Sequence, residues 1–228
     1  VHWDGQIWKN GDKWHQLIGG SLGSGRSKRG AAHLWTSSNL EEWTHHGVIA
    51  EDKRHASKFW ELPYLVSFGD RAVLMIGANN NPYWSGTYDA KNRQFHPDTS
   101  EPKYFDKGLY YCVNPNMIDK RGKSRTVRRI VHGWIKGPRS PADSVPYWIG
   151  AHTIPRTVEL CNDTLLQSPI SEIEILRGDK ISRDSIVVKP DSINVIGDFR
   201  GDAFELQITI DLLRSKAQRV GALICMSV

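Results

Sequence analysis

RAVLMIGA, at residues 71–78, is one of three similar stretches in this chain of 228 residues. The other two are KWHQLIGG at 13–20 and RRIVHGWI at 128–135. Each is short, apolar or alternating, and bounded by polar turn residues, a pattern that predicts a β-strand. The glycines that the three share are 58 and 56 residues apart: Gly19, Gly77 and Gly133. One type of strand recurring at this interval predicts a repeated structural unit.

The residues that follow the first two stretches extend the repeat. Residues 32–43 and 84–95 each read as a strand, a polar turn and a closing aromatic residue. A four-stranded unit that recurs at roughly 50 residues is typical of a β-propeller blade. The chain shows about three such units, whereas roughly four to eight close a propeller. We therefore predict an all-β fold that contains part of a β-propeller.

The pattern changes after residue 177. Longer alternating strands are predicted at 182–188, 204–210 and 220–226, and they indicate the start of a β-sandwich. About 50 residues are short for a sandwich, which needs roughly 100. We predict two parts, a β-propeller at 1–177 and a partial C-terminal β-sandwich at 178–228.

Composition and charge exclude several classes of function. The net charge is +5, but the basic clusters at 26–29 and 120–129 contain no interleaved aromatic residues for base stacking, so we interpret them as solvated loops and expect no nucleic-acid partner. No apolar run of 18 or more residues occurs, so no membrane span is expected.

The histidines and cysteines lack the spacing of metal ligands, so we predict no metal site and no cofactor. The cysteines most simply pack as small apolar side chains: Cys112, Cys161 and Cys225.

An acidic residue lies ahead of each of the three repeated stretches. Asp4 precedes the first, Glu61 the second and Asp106 the third. Equivalent positions of successive blades converge on the central channel of a propeller, so these carboxylates are expected to face one pocket. A glycosidase needs such an arrangement, with two carboxylates flanking the scissile bond.

Glu61 has the most suggestive surroundings, in Trp60-Glu61-Leu62-Pro63-Tyr64. A carboxyl group among aromatic and aliphatic side chains loses hydration, which raises its pKa and lets it act as a proton donor. The alternative is a glutamate at the start of a strand, paired with a nearby Arg or Lys.

Taken in order, the motifs resemble those of glycoside hydrolase family 32, the invertases, levanases and inulinases. The resemblance rests on Trp3-Asp4-Gly5, on Trp60-Glu61-Leu62-Pro63, on Asp106-x-Gly108-x-Tyr110-Tyr111 and on Gly133-Trp134, together with Pro155-Arg156 leading to Leu176-Arg177. It spans residues 1–228. It implies a five-bladed β-propeller followed by a β-sandwich, so that N-terminal blades are missing from the propeller part.

The resemblance also implies roles for individual residues. Glu61 corresponds to the general acid/base, and Asp4 to the residue that binds fructose and stabilises the transition state. The substrate-binding residues would be Trp3, Trp60, Asp106 and Tyr111. Each has an alternative: Asp4 as an exposed residue near a chain end, Asp106 as the cap of the turn to Gly108, and the tryptophans as filling between blades.

The chain departs from the family pattern at several positions. Nothing in it matches the Asn-Asp-Pro-Asn-Gly motif whose Asp is the family's nucleophile. Trp3 replaces an Arg, Gly5 a Pro, Leu62 a Cys and Tyr64 an Asp. The nucleophile of a working enzyme would therefore come from another segment or chain that completes the propeller.

The function implied is hydrolysis of terminal β-fructofuranosyl linkages of sucrose or fructans by a retaining acid/base mechanism. The alternative is a catalytically inactive carbohydrate-binding or structural relative. The expected partner is sucrose or a fructan. The resemblance favours a secreted, periplasmic or vacuolar location.

Overall fold

The computed structural model describes residues 3–54, 56–77, 80–106, 110–119, 128–136, 150–189, 201, 203–211, 213 and 215–217. The side chains of Trp3, 110–112 and 114–119 lie outside the described part. The chain divides into two units, Val1–Ile170 and Ser171–Val228.

The first unit contains three antiparallel sheets in its described part, which we call the first, second and third blades. The first blade pairs its four strands in chain order, β1-β2-β3-β4. These strands are β1 (Trp3–Asn10), β2 (Lys13–Leu22), β3 (Arg29–Ser37) and β4 (Thr44–Glu51). A 3₁₀ turn, Gly25–Ser27, connects β2 to β3.

The second and third blades repeat this order. The second consists of β5 (Pro63–Phe68), β6 (Arg71–Ile76), β7 (Pro82–Asp89) and β8 (Gln94–Pro97), and β9 (Lys103–Tyr104) also pairs with β7. The third consists of β10 (Tyr110–Asp119), β11 (Arg128–Lys136), β13 (Arg156–Cys161) and β14 (Thr164–Pro169), and β12 (Gly150–His152) also pairs with β11.

The repeat found in the sequence is the second strand of each blade. The stretches at 13–20, 71–78 and 128–135 fall on β2, β6 and β11. The prediction of an all-β chain with part of a β-propeller is therefore confirmed. Each of the three acidic residues lies at or just before the first strand of its blade.

The core lies between the blades, in two apolar clusters. Leu65 and Leu74 of the second blade belong to the first cluster, whereas Val66 and Val73 belong to the second. Successive side chains of a strand point to opposite faces of the sheet. The second blade is therefore packed on both faces, which is how propeller blades stack. The first cluster also contains Leu17, Leu34 and Ile49 of the first blade. The second also contains Val113, Val131 and Val158 of the third blade.

The second unit begins with a 3₁₀ helix, Ser171–Leu176, and Arg177 then pairs with Glu205. The residues described beyond the helix contain no strand, so the structure differs from the prediction at 182–188 and 204–210. A strand requires a neighbouring strand to hydrogen-bond with, and the described residues of this unit supply none. The third predicted strand, 220–226, lies outside the described residues, and a β-sandwich at 178–228 stays a prediction.

Among the described residues, we find no helix whose length and apolar character would let it span a membrane.

Candidate functional site

Asp4 lies at an irregularity in β1. Trp3 pairs with Gly19 of β2 and Gly5 pairs with Ile18, so Asp4 is an extra residue that forms a β-bulge. Bulges redirect a side chain and are common beside active sites. The Asp4 side chain is exposed, and it forms no hydrogen bond or ion pair with another described residue.

Gly5 has no room for a side chain. A Cβ atom at this position would lie 1.9 Å from the carbonyl oxygen of Leu17 on the neighbouring strand. The close approach of β1 to β2 after the bulge therefore explains why Gly5 stands where the family motif has a proline.

The connection from β4 to β5 carries Glu61 to the start of the second blade. Gly30 donates a backbone hydrogen bond to the Ser57 carbonyl, with N and O 2.8 Å apart, and the Trp60 N–H donates to the Gly20 carbonyl at 3.0 Å. The Asp52 carboxylate accepts from the Ser57 N–H at 2.6 Å. The connection is thus held along the first blade up to the residue before Glu61.

The Trp60 side chain anchors this connection in the core. Its indole is buried in the first apolar cluster, with its ring centroid 5.5 Å from that of Trp84. A Cβ atom at Gly30 would lie 2.3 Å from Trp60 Cδ1, so the indole packs directly on β3. These contacts give Trp60 a packing role, as the alternative proposed, and do not support the substrate contact predicted for it.

Glu61 is half-buried at the start of the second blade. The carboxylate forms no hydrogen bond or ion pair with any residue that the structure describes. The alternative, in which Glu61 pairs with an Arg or Lys, therefore finds no partner in the described part of the chain.

The backbone at Glu61 and Leu62 is held in an unusual conformation. Leu62 has a φ of 46°, in the left-handed region that a branched side chain rarely adopts. The Gly77 N–H donates to the carbonyl oxygens of both Glu61 and Leu62, at 3.1 Å each. A Cβ atom at Gly77 would lie 2.6 Å from Leu62 Cβ. Backbone strain of this kind is found at functional sites.

The backbone segments that lead into Asp4 and Glu61 both lie against Gly19. Gly19 is the β2 partner of Trp3, and its missing Cβ would lie 2.3 Å from the Trp60 carbonyl oxygen. The two acidic residues each follow one of these tryptophans directly, so the segments that carry them pass the same residue of β2. The repeat in the sequence marks both Gly19 and Gly77, but the close approaches of Trp60 and Leu62 to them come from another strand connection and are visible only in the structure.

Asp106 lies just before the third blade and pairs with a residue of that blade. Its buried carboxylate pairs with Arg156 of β13, with Oδ1 2.7 Å from a guanidinium nitrogen. The same guanidinium lies 5.3 Å from the centre of the Phe105 ring. These contacts support neither the predicted substrate contact nor a turn cap, since Gly108 lies outside the described residues.

Two further predicted residues have only their backbone described. Tyr111 lies in β10 opposite Trp134, and Trp3 opens β1. Their side chains lie outside the described part, so their substrate contacts stay predictions.

The basic residues near this region are partly engaged in the fold. Arg29 donates to the Glu51 carboxylate at 2.6 Å. Arg129 donates to the Ser67 carbonyl and lies 5.2 Å from the centre of the Phe68 ring, where burial lowers its pKa. Residues 120–127 lie outside the described part. The described residues contain no group of three or more His, Cys, Asp or Glu side chains arranged for a metal ion.

Comparisons with known proteins agree with this architecture. The family model described as "Glycosyl hydrolases family 32 N-terminal domain" matches residues 3–169. A sucrose-6-phosphate hydrolase of Vibrio alginolyticus is 25% identical over 90% of the chain, and a fructan 1-exohydrolase w2 of Triticum aestivum is 31% identical over 87%. The chain spans 44% and 35% of the lengths of these relatives.

Solved structures show the same fold at lower identity. A GH32 β-fructofuranosidase of Bombyx mori, in a mutant form in complex with sucrose, superimposes with a TM-score of 0.65 at 22% identity. The match covers 77% of the chain and 39% of that protein. A fructan 1-exohydrolase IIa of Cichorium intybus in complex with 1-kestose gives 0.62 at 22% identity, covering 77% and 36%. The chain therefore belongs to glycoside hydrolase family 32, and its three blades lie within that family's N-terminal domain.

Proposed function

We propose that the protein to which this chain belongs hydrolyses terminal β-fructofuranosyl linkages of sucrose or fructans, with Glu61 as the general acid/base. The observation that carries the proposal is the half-buried Glu61, which has no hydrogen-bond or ion-pair partner among the described residues and whose segment passes Gly19, as the segment of Asp4 does. The names of the relatives support the substrate class, since one is a sucrose-6-phosphate hydrolase and another a fructan 1-exohydrolase.

In the proposed retaining mechanism, Glu61 donates a proton to the oxygen that leaves the fructosyl group. A nucleophilic carboxylate attacks the anomeric carbon as that bond breaks, which forms a covalent fructosyl intermediate. Glu61, now a carboxylate, then takes a proton from water, and the water oxygen displaces the nucleophile. The second step regenerates both groups.

We assign Asp4 to the fructose hydroxyls. Its exposed carboxylate at the bulge accepts hydrogen bonds from the sugar, and such bonds strengthen in the transition state. We assign the nucleophile to a segment or chain outside residues 1–228, because the sequence contains no Asn-Asp-Pro-Asn-Gly motif. A secreted, periplasmic or vacuolar location is part of the same proposal.

A catalytically inactive carbohydrate-binding relative is the second candidate. The replacements around the two acidic residues favour it, above all Leu62 with its positive φ in place of the family's Cys. Such a protein would bind a fructan without cleaving it.

The test is release of fructose by the full-length gene product from sucrose, inulin and levan. Removing a general acid/base costs about 10²- to 10⁴-fold in rate, so we expect a loss of that size in Glu61→Gln. Glu51→Gln is the matched control, because Glu51 is similarly half-buried but pairs with Arg29 at the end of β4. Failure of the unmodified protein to release fructose, or equal rates in both variants, would contradict the proposal. Fructan binding without release would favour the second candidate.

A further inference from the structure

The first strands of the first and second blades, β1 and β5, are joined by a buried side chain, Gln6. Its Nε2 donates to the Leu65 carbonyl oxygen at 3.1 Å, and its Oε1 accepts from the Leu65 N–H at 2.7 Å. Gln6 is 6% exposed. The Gln6 amide therefore satisfies both hydrogen-bonding groups of one residue of β5, as a paired strand residue would.

The position of this bond relates it to the acidic residues. Gln6 follows Asp4 by two residues in β1, and Leu65 follows Glu61 by four. No strand of the first blade pairs with a strand of the second in the described residues, so no β-ladder fixes β1 against β5. The paired bonds of Gln6 thus set how far β1 is displaced along β5, close to Asp4 in β1 and to Glu61 just before β5.

A comparable bond joins the second and third blades. The buried Asn81 Oδ1 accepts from the Val113 N–H of β10 at 3.1 Å. A side-chain amide bound to the backbone of the next blade's first strand thus occurs at both junctions. Of the two, the Gln6 bond joins β1, which carries Asp4, to β5, which follows Glu61.

We propose that Gln6 is a positioning residue that sets the separation between Asp4 and Glu61. The inference rests on the proposed function, because this separation matters for a reaction that uses both carboxyl groups on one sugar. A misplacement of about 1 Å in an active site costs on the order of 100-fold in rate. Gln6 itself is buried and is not proposed to contact the substrate. It acts by holding β1 in place against β5.

Gln94 provides a matched control. Its Nε2 donates to the Val48 carbonyl oxygen at 2.9 Å, so it also joins the second blade to the first, but through the outer strands β8 and β4 and on the exposed side. Methionine has nearly the length of glutamine and forms neither bond. Gln6→Met and Gln94→Met therefore each remove a side-chain amide that joins the first and second blades, Gln6 between β1 and β5 and Gln94 between β8 and β4.

The experiment measures kcat, KM and the pH profile of the full-length protein and both variants. We expect kcat of Gln6→Met to fall about 100-fold while KM changes far less, and Gln94→Met to match the unmodified protein. Gln6→Glu adds a rescue, since a protonated carboxyl group can both donate to and accept from Leu65. Its kcat should approach the unmodified value at acidic pH and fall as the carboxyl group ionises.

The outcomes separate the two proposals. Equal kcat values in Gln6→Met and Gln94→Met, with an active parent, would overturn the role of Gln6 and leave the proposed function standing. A parent that releases no fructose would contradict the proposed function. Crystal structures of the two variants would then decide on Gln6, which requires the Asp4–Glu61 Cα distance to shift by about 1 Å in Gln6→Met alone.

Discussion

Gly19 is the residue at which the two acid-bearing segments meet. A Cβ atom at Gly19 would lie 2.3 Å from the Trp60 carbonyl oxygen and 3.1 Å from Pro63 Cδ. A methyl group at Gly19 would therefore displace the backbone of Trp60, the residue directly before Glu61. Small residues at such close approaches are required by space, whatever the chemistry of the site.

We expect Gly19→Ala to reduce both stability and fructose release. Overpacking of this kind costs about 1–3 kcal/mol, and a displaced Glu61 lowers kcat. Urea denaturation and initial rates measure the two effects. Gly178→Ala is the control, since nothing lies within 4 Å of a Cβ atom at Gly178. A Gly19→Ala variant as stable and as active as this control would show that the backbone near Trp60 yields without consequence.

Asp106 leads to a prediction about stability alone. The Asp106 and Arg156 side chains are only 6% and 15% exposed, and removing one partner of a buried ion pair costs about 3–5 kcal/mol. We expect Asp106→Asn to lower the free energy of unfolding by an amount in this range, measured by urea denaturation. Asp98→Asn breaks the more exposed pair with Arg71 and should cost less than about 1 kcal/mol. Equal losses in the two variants would contradict a special role for the buried pair.

At the scale of elements, the outer part of the first blade collects basic groups. His15 of β2 stacks on Trp8, with ring centroids 5.3 Å apart, and His46 of β4 contacts Thr36 at 2.7 Å. Burial is the main reason that the pKa values of both histidines are lowered, and the charges of Arg93 and Lys13 lower them further. The folded protein therefore disfavours protonation at both positions.

This arrangement predicts a loss of stability in acid. Below the pKa of an unfolded histidine, about 6.5, the unfolded chain binds protons that the folded blade resists. The stabilisation is therefore complete only about one pH unit above that value, and it is lost as the pH falls towards the lowered folded values. The melting temperature should drop between about pH 7.5 and pH 5.5. Arg93→Gln removes one repelling charge and should make this drop smaller. An unchanged or steeper drop in Arg93→Gln would contradict the explanation.

The strands were predictable because their signals are local. The apolar runs of β2, β6 and β11 and the spacing of their glycines identified the blade repeat. The partners of the side chains were not predictable, because they come from distant parts of the chain. Asp106 is an example, because its Arg156 partner lies fifty residues later in another strand. The alternating pattern at 204–210 predicted a strand, yet alternation alone forms no ladder without a neighbour.

For the whole molecule, the family match and the structural division nearly coincide. The family model ends at residue 169, and the first unit ends at Ile170. The described residues that follow the 3₁₀ helix of the second unit, 177–189, are exposed and form neither helix nor strand. Such backbone is readily bound by proteases, because no ladder of hydrogen bonds must be broken.

Limited trypsin digestion should therefore cut after Lys180 or Arg183 before it cuts any described site within the blades. The turn between β7 and β8 is the comparison, because Lys91 and Arg93 are also exposed there. In that turn, the Asp89 carboxylate accepts from the N–H groups of Lys91 and Asn92 at 2.9 and 3.0 Å, which holds the backbone closed. Mass spectrometry of early time points identifies the cuts. Lys180→Gln should shift the first cut to Arg183. Cleavage after Lys91 or Arg93 before any cut at 180–183 would contradict the prediction, because the turn would then be more accessible to trypsin than the exposed segment.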